Sequence, residues 1–258
     1  MGMGKLRVGS LFAGIGGLEL GLESTGHYET VWQVEIDDYA RKVLAKHWPD
    51  VRRHDDVCTF PTDDDWGCDV ICGGFPCTDI SSAGTKEGLD GKNSRLFYQL
   101  ARVVSLVRPE YVIMENVTAL LNRGMGDVLG TMAEIGYDCQ WHCISAAAVG
   151  APHIRDRIFI LAYRSSARTE TGLAGETCQR LRNSKISDYR PYGARGQEGR
   201  SGVDWWSVEP PLDRMVHGVS RRVDRLRCLG NAVVPQVAHV VGQILWEVHC
   251  GQDVKAEG

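Results

Sequence analysis

The stretch LRVGSLFAGIGGLELGLEST, residues 6–25, decides the fold of this chain. Residues 6–12 are predicted to form a strand, and Ala13-Gly14-Ile15-Gly16-Gly17 supplies a glycine-rich turn after it. A helical pattern begins directly after the turn. A strand, a glycine turn and a helix N-terminus in this order are typical of a cradle for a nucleotide cofactor. The stretch therefore predicts the first unit of an α/β domain.

Strands and helices continue to alternate along the chain. Acidic residues and glycines follow several of the predicted strands, at the positions where open α/β sheets bind their ligands. This order favours an α/β fold with a largely parallel sheet. The later predicted strands cover residues 30–34, 69–72, 111–114 and a hairpin of 138–145 and 157–162; the predicted helices cover 38–47, 94–107 and part of 219–248.

The length and composition of the chain limit the classes of protein to which it can belong. A chain of 258 residues with 43% hydrophobic residues fits one large domain, or one domain with a smaller lobe. No window approaches the roughly 20 apolar residues of a membrane span, and the N-terminus lacks a signal-peptide layout. The nine cysteines have no paired metal-ligand spacing. We therefore expect a reduced, cytoplasmic protein without a metal.

Charge is distributed unevenly. The whole chain has a net charge of −4, but residues 151–229 contain 15 Lys or Arg and 9 Asp or Glu. Concentrated basic character is typical of a face that contacts phosphates, and a solvated arginine-rich loop is the alternative. Residues 165–202 are polar and aperiodic, which predicts an extended loop or a small irregular lobe.

Gly74-Phe75-Pro76-Cys77 follows the apolar run 69–72. A cysteine that follows a buried strand, two glycines and a proline lies on a loop of fixed shape, where its sulfur can face a cleft. The sequence therefore predicts a nucleophile at Cys77. A small buried thiol is the structural alternative.

Six short motifs follow one another along the chain: FAGIGG at 12–17, VEID at 34–37, GGFPC at 73–77, ENV at 115–117, RDR at 155–157 and GNAVVPQ at 230–236. Together and in this order they resemble the DNA cytosine-5 methyltransferases. The resemblance implies a Rossmann-like, S-adenosylmethionine-dependent methyltransferase fold, and it covers nearly the whole chain outside residues 165–202. The closing segment, residues 205–236, is similar to the orphan enzymes of phages and prophages.

The resemblance implies a role for each catalytic candidate. Cys77 would add to C6 of a flipped cytosine, and Glu115 would hydrogen-bond or protonate N3 of the ring. Of Arg155 and Arg157, one would stabilise the base near O2 and the other would steady the catalytic loop and Glu115. The chain departs from the family pattern at His153 and Thr78, where glutamine is usual.

For the cofactor, the resemblance implies S-adenosylmethionine and no metal. Glu35 would bind the ribose hydroxyls, Ile36 would lie against the adenine, and Asp56 would contact the adenine amino group, with Asp55 as the alternative one residue away. The other implied contacts are Phe12, Gly14, Gly16, Gly17, Pro76, Leu96, Asn231 and Val233.

These residues predict three segments: a catalytic and cofactor-binding domain over 1–163, a short, basic target-recognition region over 164–204, and a segment over 205–258 that returns to the catalytic domain. The implied partner is double-stranded DNA, with a restriction endonuclease as partner or none. We expect a monomer, in a bacterial cytoplasm at the nucleoid or encoded by a phage. A catalytically silent DNA- or cofactor-binding regulator and an RNA cytosine-5 methyltransferase remain as alternative functions.

Overall fold

The computed structural model describes residues 4–61, 66–76, 96–164 and 222–256. Cys77, Thr78 and the target-recognition region predicted over 164–204, apart from Arg164, lie outside the described residues. The strands are β1 Leu6–Leu11, β2 Tyr28–Val34, β3 Arg52–His54, β4 Val70–Gly74, β5 Tyr111–Val117, β6 Tyr137–Ser145 and β7 Asp156–Arg164. The helices are α1 Gly17–Glu23, α2 Asp38–His47, α3 Leu96–Val107, α4 Leu120–Arg123, α5 Met125–Glu134, α6 Arg222–Asn231 and α7 Pro235–Ala256.

Seven strands form one sheet in the order β3-β2-β1-β4-β5-β7-β6. The first five strands in the chain run parallel to one another, whereas β7 is antiparallel to both β5 and β6. The predicted α/β fold with a mostly parallel sheet and a late hairpin is therefore confirmed. The order reverses between β1 and β4, which is where sheets of this class bind ligands.

Helices cover both faces of the sheet. On one face, Phe97, Leu100 and Val104 of α3 and Val128 and Met132 of α5 are buried in a core shared with the sheet. On the other face, Leu18 and Leu22 of α1 share a second core with α7. Burial of apolar surface on each face stabilises the folded state by roughly 25 cal/mol per Å², and it is the main favourable contribution to folding in such a three-layer arrangement.

The C-terminal helices include one stretch, Val223–Cys250, that is long and apolar enough by composition alone to cross a membrane. In the structure, Val237, Ala238 and Val241 are buried beside Leu22 in the second core. The packing of α7 against α1 therefore accounts for its apolar composition.

Three features without a clear signal in the sequence complete the fold. β3 pairs with β2 at the edge of the sheet through Trp32–Arg52 and Val34–His54. Helices α4 and α5 form the connection between β5 and β6. The first helix is also short, because it ends at Glu23 with Ser24 as its C-cap.

Candidate active site

The carboxyl ends of β1, β2, β4 and β5 surround a cavity of about 530 Å³. A volume in this range suits a ligand of drug or nucleotide size. Of the site residues predicted from the sequence, the following line this cavity: Phe12, Gly14, Gly17, Glu35, Ile36, Asp55, Asp56, Pro76, Leu96, Glu115, Arg155, Arg157, Asn231 and Val233.

The glycine turn after β1 forms one wall of the cavity. Phe12 has φ 54°, a left-handed conformation that is uncommon for a residue with a side chain, and Ala13 N–H donates to Val34 O at 3.1 Å. A Cβ at Gly17 would lie 2.5 Å from Val233 O. Glycine at position 17 therefore lets the C-terminal segment approach the turn closely.

Glu35 lies at the end of β2 and joins two parts of the wall. Its Oε2 accepts from Gly14 N–H at 2.7 Å, and its Oε1 accepts from Asp37 N–H at 2.8 Å. A carboxylate oxygen offers about two acceptor sites, so each oxygen retains capacity for a ligand hydroxyl. The side chain is thus held in one orientation by backbone donors on both sides.

The next part of the wall comes from residues 36 and 55–56. Ile36 is 71% exposed at the cavity, which leaves an apolar surface for a flat ring to cover. Asp56 caps a short 3₁₀ helix, because its Oδ1 accepts from Cys58 N–H at 2.9 Å. Asp55 instead faces Arg41, with 3.5 Å between Arg41 Nε and Asp55 Oδ1.

Glu115 and Arg157 form an ion pair inside the cavity. In the β5–β7 ladder, Arg157 lies opposite Val117, two residues along from Glu115, so the two side chains are diagonal neighbours on one face of the sheet. Arg157 Nε donates to Glu115 Oε1 at 2.9 Å. Burial raises the pKa of Glu115, and the Arg157 and Arg155 guanidiniums oppose that rise.

The strand register also places Glu115 against the loop that leads to Cys77. Gly74 pairs with Glu115, and a Cβ at Gly74 would lie 2.8 Å from Glu115 Oε2. Asn116, which is buried, donates from Nδ2 to Phe75 O at 3.1 Å. The backbone two residues before Cys77 is therefore tied to the end of β5, next to the only buried carboxyl among the described residues of the cavity wall.

Arg155 has a different set of contacts from Arg157. Its Nη2 donates to Gly230 O at 2.7 Å and to Ala232 O at 3.0 Å. It therefore connects the N-terminus of β7 to the turn between α6 and α7. Burial and the neighbouring Arg157 lower the pKa of Arg155, and Glu115 opposes this shift.

Gly16 and His153 are not part of the cavity wall. Gly16 has φ 88°, and its α-carbon faces the Trp48 ring, where a side chain would clash. Its role in the structure is to shape the turn and to accommodate Trp48. Among the described residues, no group of three or more His, Cys, Asp or Glu side chains could hold a metal ion.

Some residues of the wall were not predicted from the sequence. Asp37 caps α2, because its Oδ1 accepts from Ala40 N–H at 2.9 Å, and its Oδ2 forms an ion pair with Arg227 of α6. The VEID motif includes Asp37, but no sequence signal pairs it with a residue 190 positions away. Phe75, Asn116, Cys228 and Ala232 also line the cavity.

Comparison with known proteins decides the family. The profile of the C-5 cytosine-specific DNA methylases matches residues 6–194. The chain belongs to this methylase family. Its relatives include the Bacillus subtilis Type II methyltransferase M2.BsuMI, which is 34% identical over 228 residues that make up 80% of this chain and 56% of the relative.

Two further methylases illustrate the range of relatives. The orphan methyltransferase M.SPRI of Bacillus phage SPR is 35% identical over 63% of this chain and 38% of its own length. The crystal structure of a DNA modification methyltransferase from an E. coli prophage superposes with a TM-score of 0.53 at 27% identity, covering 63% of this chain and 47% of that chain. The present chain spans about half the length of the curated methylases that it matches.

Proposed function

We propose that this chain transfers a methyl group to C5 of cytosine in duplex DNA, with Cys77 as the nucleophile. The observation that carries the proposal is the Glu115–Arg157 ion pair beside the Gly74–Pro76 loop, in the same cavity as Glu35. Cytosine C5 is a weak nucleophile. The reaction therefore needs a group that adds to the ring and an acid that neutralises the negative charge that develops on the ring. Family membership supports both assignments.

The cavity fits S-adenosylmethionine. Glu35, oriented by Gly14 and Asp37, would accept hydrogen bonds from the ribose hydroxyls, and Ile36 would cover one face of the adenine. Asp56 would accept from the adenine amino group, since Asp55 is already paired with Arg41. Leu96, Asn231 and Val233 would close the pocket, and Phe12, Gly14, Gly17 and Pro76 would lie along the methionine end. When bound, this cofactor supplies an electrophilic methyl group.

The protein's own residues would carry the remaining chemistry. The Cys77 thiolate adds to C6, forming a C–S bond and turning C5 into an enamine-like carbon. Glu115 donates a hydrogen bond or a proton at N3 as charge develops there, and burial, which raises its pKa, makes protonation easier than on an exposed glutamate. After C5 has gained its methyl group, water would take the C5 proton and the C6–S bond would break, which releases the Cys77 thiolate. Return of the N3 proton to Glu115 then restores the aromatic ring.

The two arginines would position these groups. Arg157 holds Glu115 in place and would direct a guanidinium N–H toward O2 of the base, whereas Arg155 secures the 230–232 turn that closes the cofactor pocket. Because Glu115 is buried in a cavity at the carboxyl ends of the strands, the target base would have to leave the duplex stack to reach it. We propose a monomer that acts in the bacterial cytoplasm on double-stranded DNA, with or without a partner endonuclease.

The test is transfer of labelled methyl groups from S-adenosylmethionine to duplex DNA. Wild-type protein should label the DNA, and nucleoside analysis should show 5-methylcytosine. Cys77→Ala should abolish labelling while calorimetry still detects cofactor binding. Absence of transfer by wild-type protein to duplexes of varied sequence, with normal cofactor binding, would favour the silent binder instead. Transfer to RNA alone would favour the RNA enzyme.

A further inference from the structure

Arg41, in α2, contacts two turns of the cavity wall at once. Its Nη1 donates to Ile36 O at 2.8 Å and to Glu35 O at 3.1 Å. Its Nε lies 3.5 Å from Asp55 Oδ1, in the turn after β3. The side chain is only 25% exposed, so the guanidinium lies largely between these turns and is screened less than a surface charge.

The contacts of Arg41 fall on the two turns that carry the proposed adenosine contacts. The turn after β2 presents Glu35 and Ile36 to the cavity, and the turn after β3 presents Asp55 and Asp56. In the described backbone, two other contacts hold these turns together. One is the short β2–β3 ladder, and the other is the hydrogen bond that Glu35 N–H donates to His54 O at 3.1 Å. The Arg41 guanidinium adds a side-chain connection between the two turns, beyond the last hydrogen-bonded pair of the ladder.

We propose that Arg41 is a positioning residue for the adenosine half of the cofactor, acting by fixing the Glu35–Ile36 turn relative to the Asp55–Asp56 turn. This inference rests on the proposed function. A rigid guanidinium with several donors is suited to bridging two carbonyls and a carboxylate, whereas a lysine ammonium is a point charge on a flexible stem. Arg41 lies outside the set of residues that line the cavity, so its effect on the ligand must pass through its neighbours.

The experiment measures binding of S-adenosylhomocysteine and of adenosine by calorimetry, together with steady-state methyl transfer. Arg41→Ala should weaken binding of both ligands by the same factor, about tenfold, as expected for loss of one net charge-assisted hydrogen bond. The KM for S-adenosylmethionine should rise by a similar factor, and kcat at saturating cofactor should stay within about twofold. The ligand affinity and the KM of Arg41→Lys should lie between those of wild type and of Arg41→Ala.

Lys42→Ala is the matched control. Lys42 is the next residue of the same helix, it is 57% exposed, and its Nζ pairs with Asp38 Oδ2 at 2.6 Å on the solvent side. This substitution removes a cation and a surface ion pair without touching either turn. Asp38 keeps its second partner, Arg41, whose Nη2 lies 3.6 Å from Asp38 Oδ1. Its binding constants should equal those of wild type. Asp55→Asn should weaken binding less than Arg41→Ala, and the double variant should bind no more weakly than Arg41→Ala alone.

Each other outcome counts against the inference. Equal affinity in Arg41→Ala and wild type would overturn it, as would a loss for S-adenosylhomocysteine but not for adenosine, or fully additive effects of Arg41→Ala and Asp55→Asn. If Arg41→Ala does not fold, unchanged binding by folded Arg41→Lys would overturn it. Failure of wild-type protein to bind either ligand would instead contradict the proposed function itself.

Discussion

Arg157 donates to Glu115 across two strands that run in opposite directions, with 2.9 Å between Nε and Oε1. β5 belongs to the parallel part of the sheet, and β7 is the antiparallel strand beside it. The acid and the cation that controls it therefore come from segments 42 residues apart in the chain, yet they are diagonal neighbours in one ladder. The buried Glu115 carboxyl is thus paired with Arg157, and it also lines the cavity.

Replacing Glu115 tests its role as the acid. Glu115→Gln keeps the size of the side chain but removes the titrating group, so kcat for methyl transfer should fall by about a hundredfold or more. Calorimetric affinity for S-adenosylhomocysteine should change little, because the proposed cofactor contacts lie elsewhere in the cavity. Methyl transfer at the wild-type rate would show that Glu115 takes no part in the chemistry.

Removing Arg157 should change the titration of Glu115. The guanidinium opposes the effect of burial on the pKa of Glu115, so Arg157→Gln should raise that pKa further. Infrared or carbon-13 NMR titration of the carboxyl group measures the shift directly. Arg157→Lys, which keeps a cation nearby, should shift the pKa less. A lower pKa in Arg157→Gln would contradict the proposed electrostatics.

Glu19 provides a pH prediction about stability. This carboxyl is fully buried in α1, its Oε1 lies 3.5 Å from Gln33 Nε2, and burial raises its pKa to about 7 from its ordinary value of 4.5. The folded state holds the proton more tightly than the unfolded chain. The carboxyl therefore contributes its full stabilisation below pH 4.5 and loses it as pH rises through about 7.

The size of this effect follows from linkage. The shift corresponds to a free energy of unfolding about 3 kcal/mol lower above pH 7 than at low pH, from this group alone. In urea titrations across this range, Glu19→Gln should remove that part of the pH dependence, because the amide mimics the neutral acid. Glu29→Gln, at an exposed position of β2, is the control and should leave the dependence unchanged. An identical pH dependence in Glu19→Gln and wild type would contradict the prediction.

Gly17 tests the contact between the glycine turn and the C-terminal segment. Gly17→Ala would place a Cβ 2.5 Å from Val233 O, so the 230–234 segment must move. We expect a loss of about 1–3 kcal/mol in the free energy of unfolding and weaker binding of S-adenosylhomocysteine. Gly130→Ala is the control, since its Cβ meets nothing within 4 Å and lies on an exposed part of α5. Wild-type affinity in Gly17→Ala would show that this contact does not shape the pocket.

The sequence predicted the central strands because each is an aliphatic run followed by a glycine or an acid. It did not predict β3, since Arg52-Arg53-His54 has no apolar run and becomes a strand only by pairing with β2. The positions of Glu35 and Glu115 followed from motifs at strand ends. The contacts of Arg41, Arg227 and Asn116 could not be predicted from motifs, because each contact depends on how separate elements pack together.

The proposed mechanism requires a covalent bond between Cys77 and C6 of the target cytosine. A duplex that contains 5-fluorocytosine should trap this bond, because a fluorine at C5 cannot leave as a proton does and the adduct should persist. With S-adenosylmethionine present, wild-type protein should form a denaturation-stable complex whose intact mass equals protein plus DNA plus one methyl group, and Cys77→Ser should form none. Methyl transfer to ordinary duplex DNA by Cys77→Ser at the wild-type rate, or an adduct mapped to another residue, would contradict a role for Cys77 as the nucleophile.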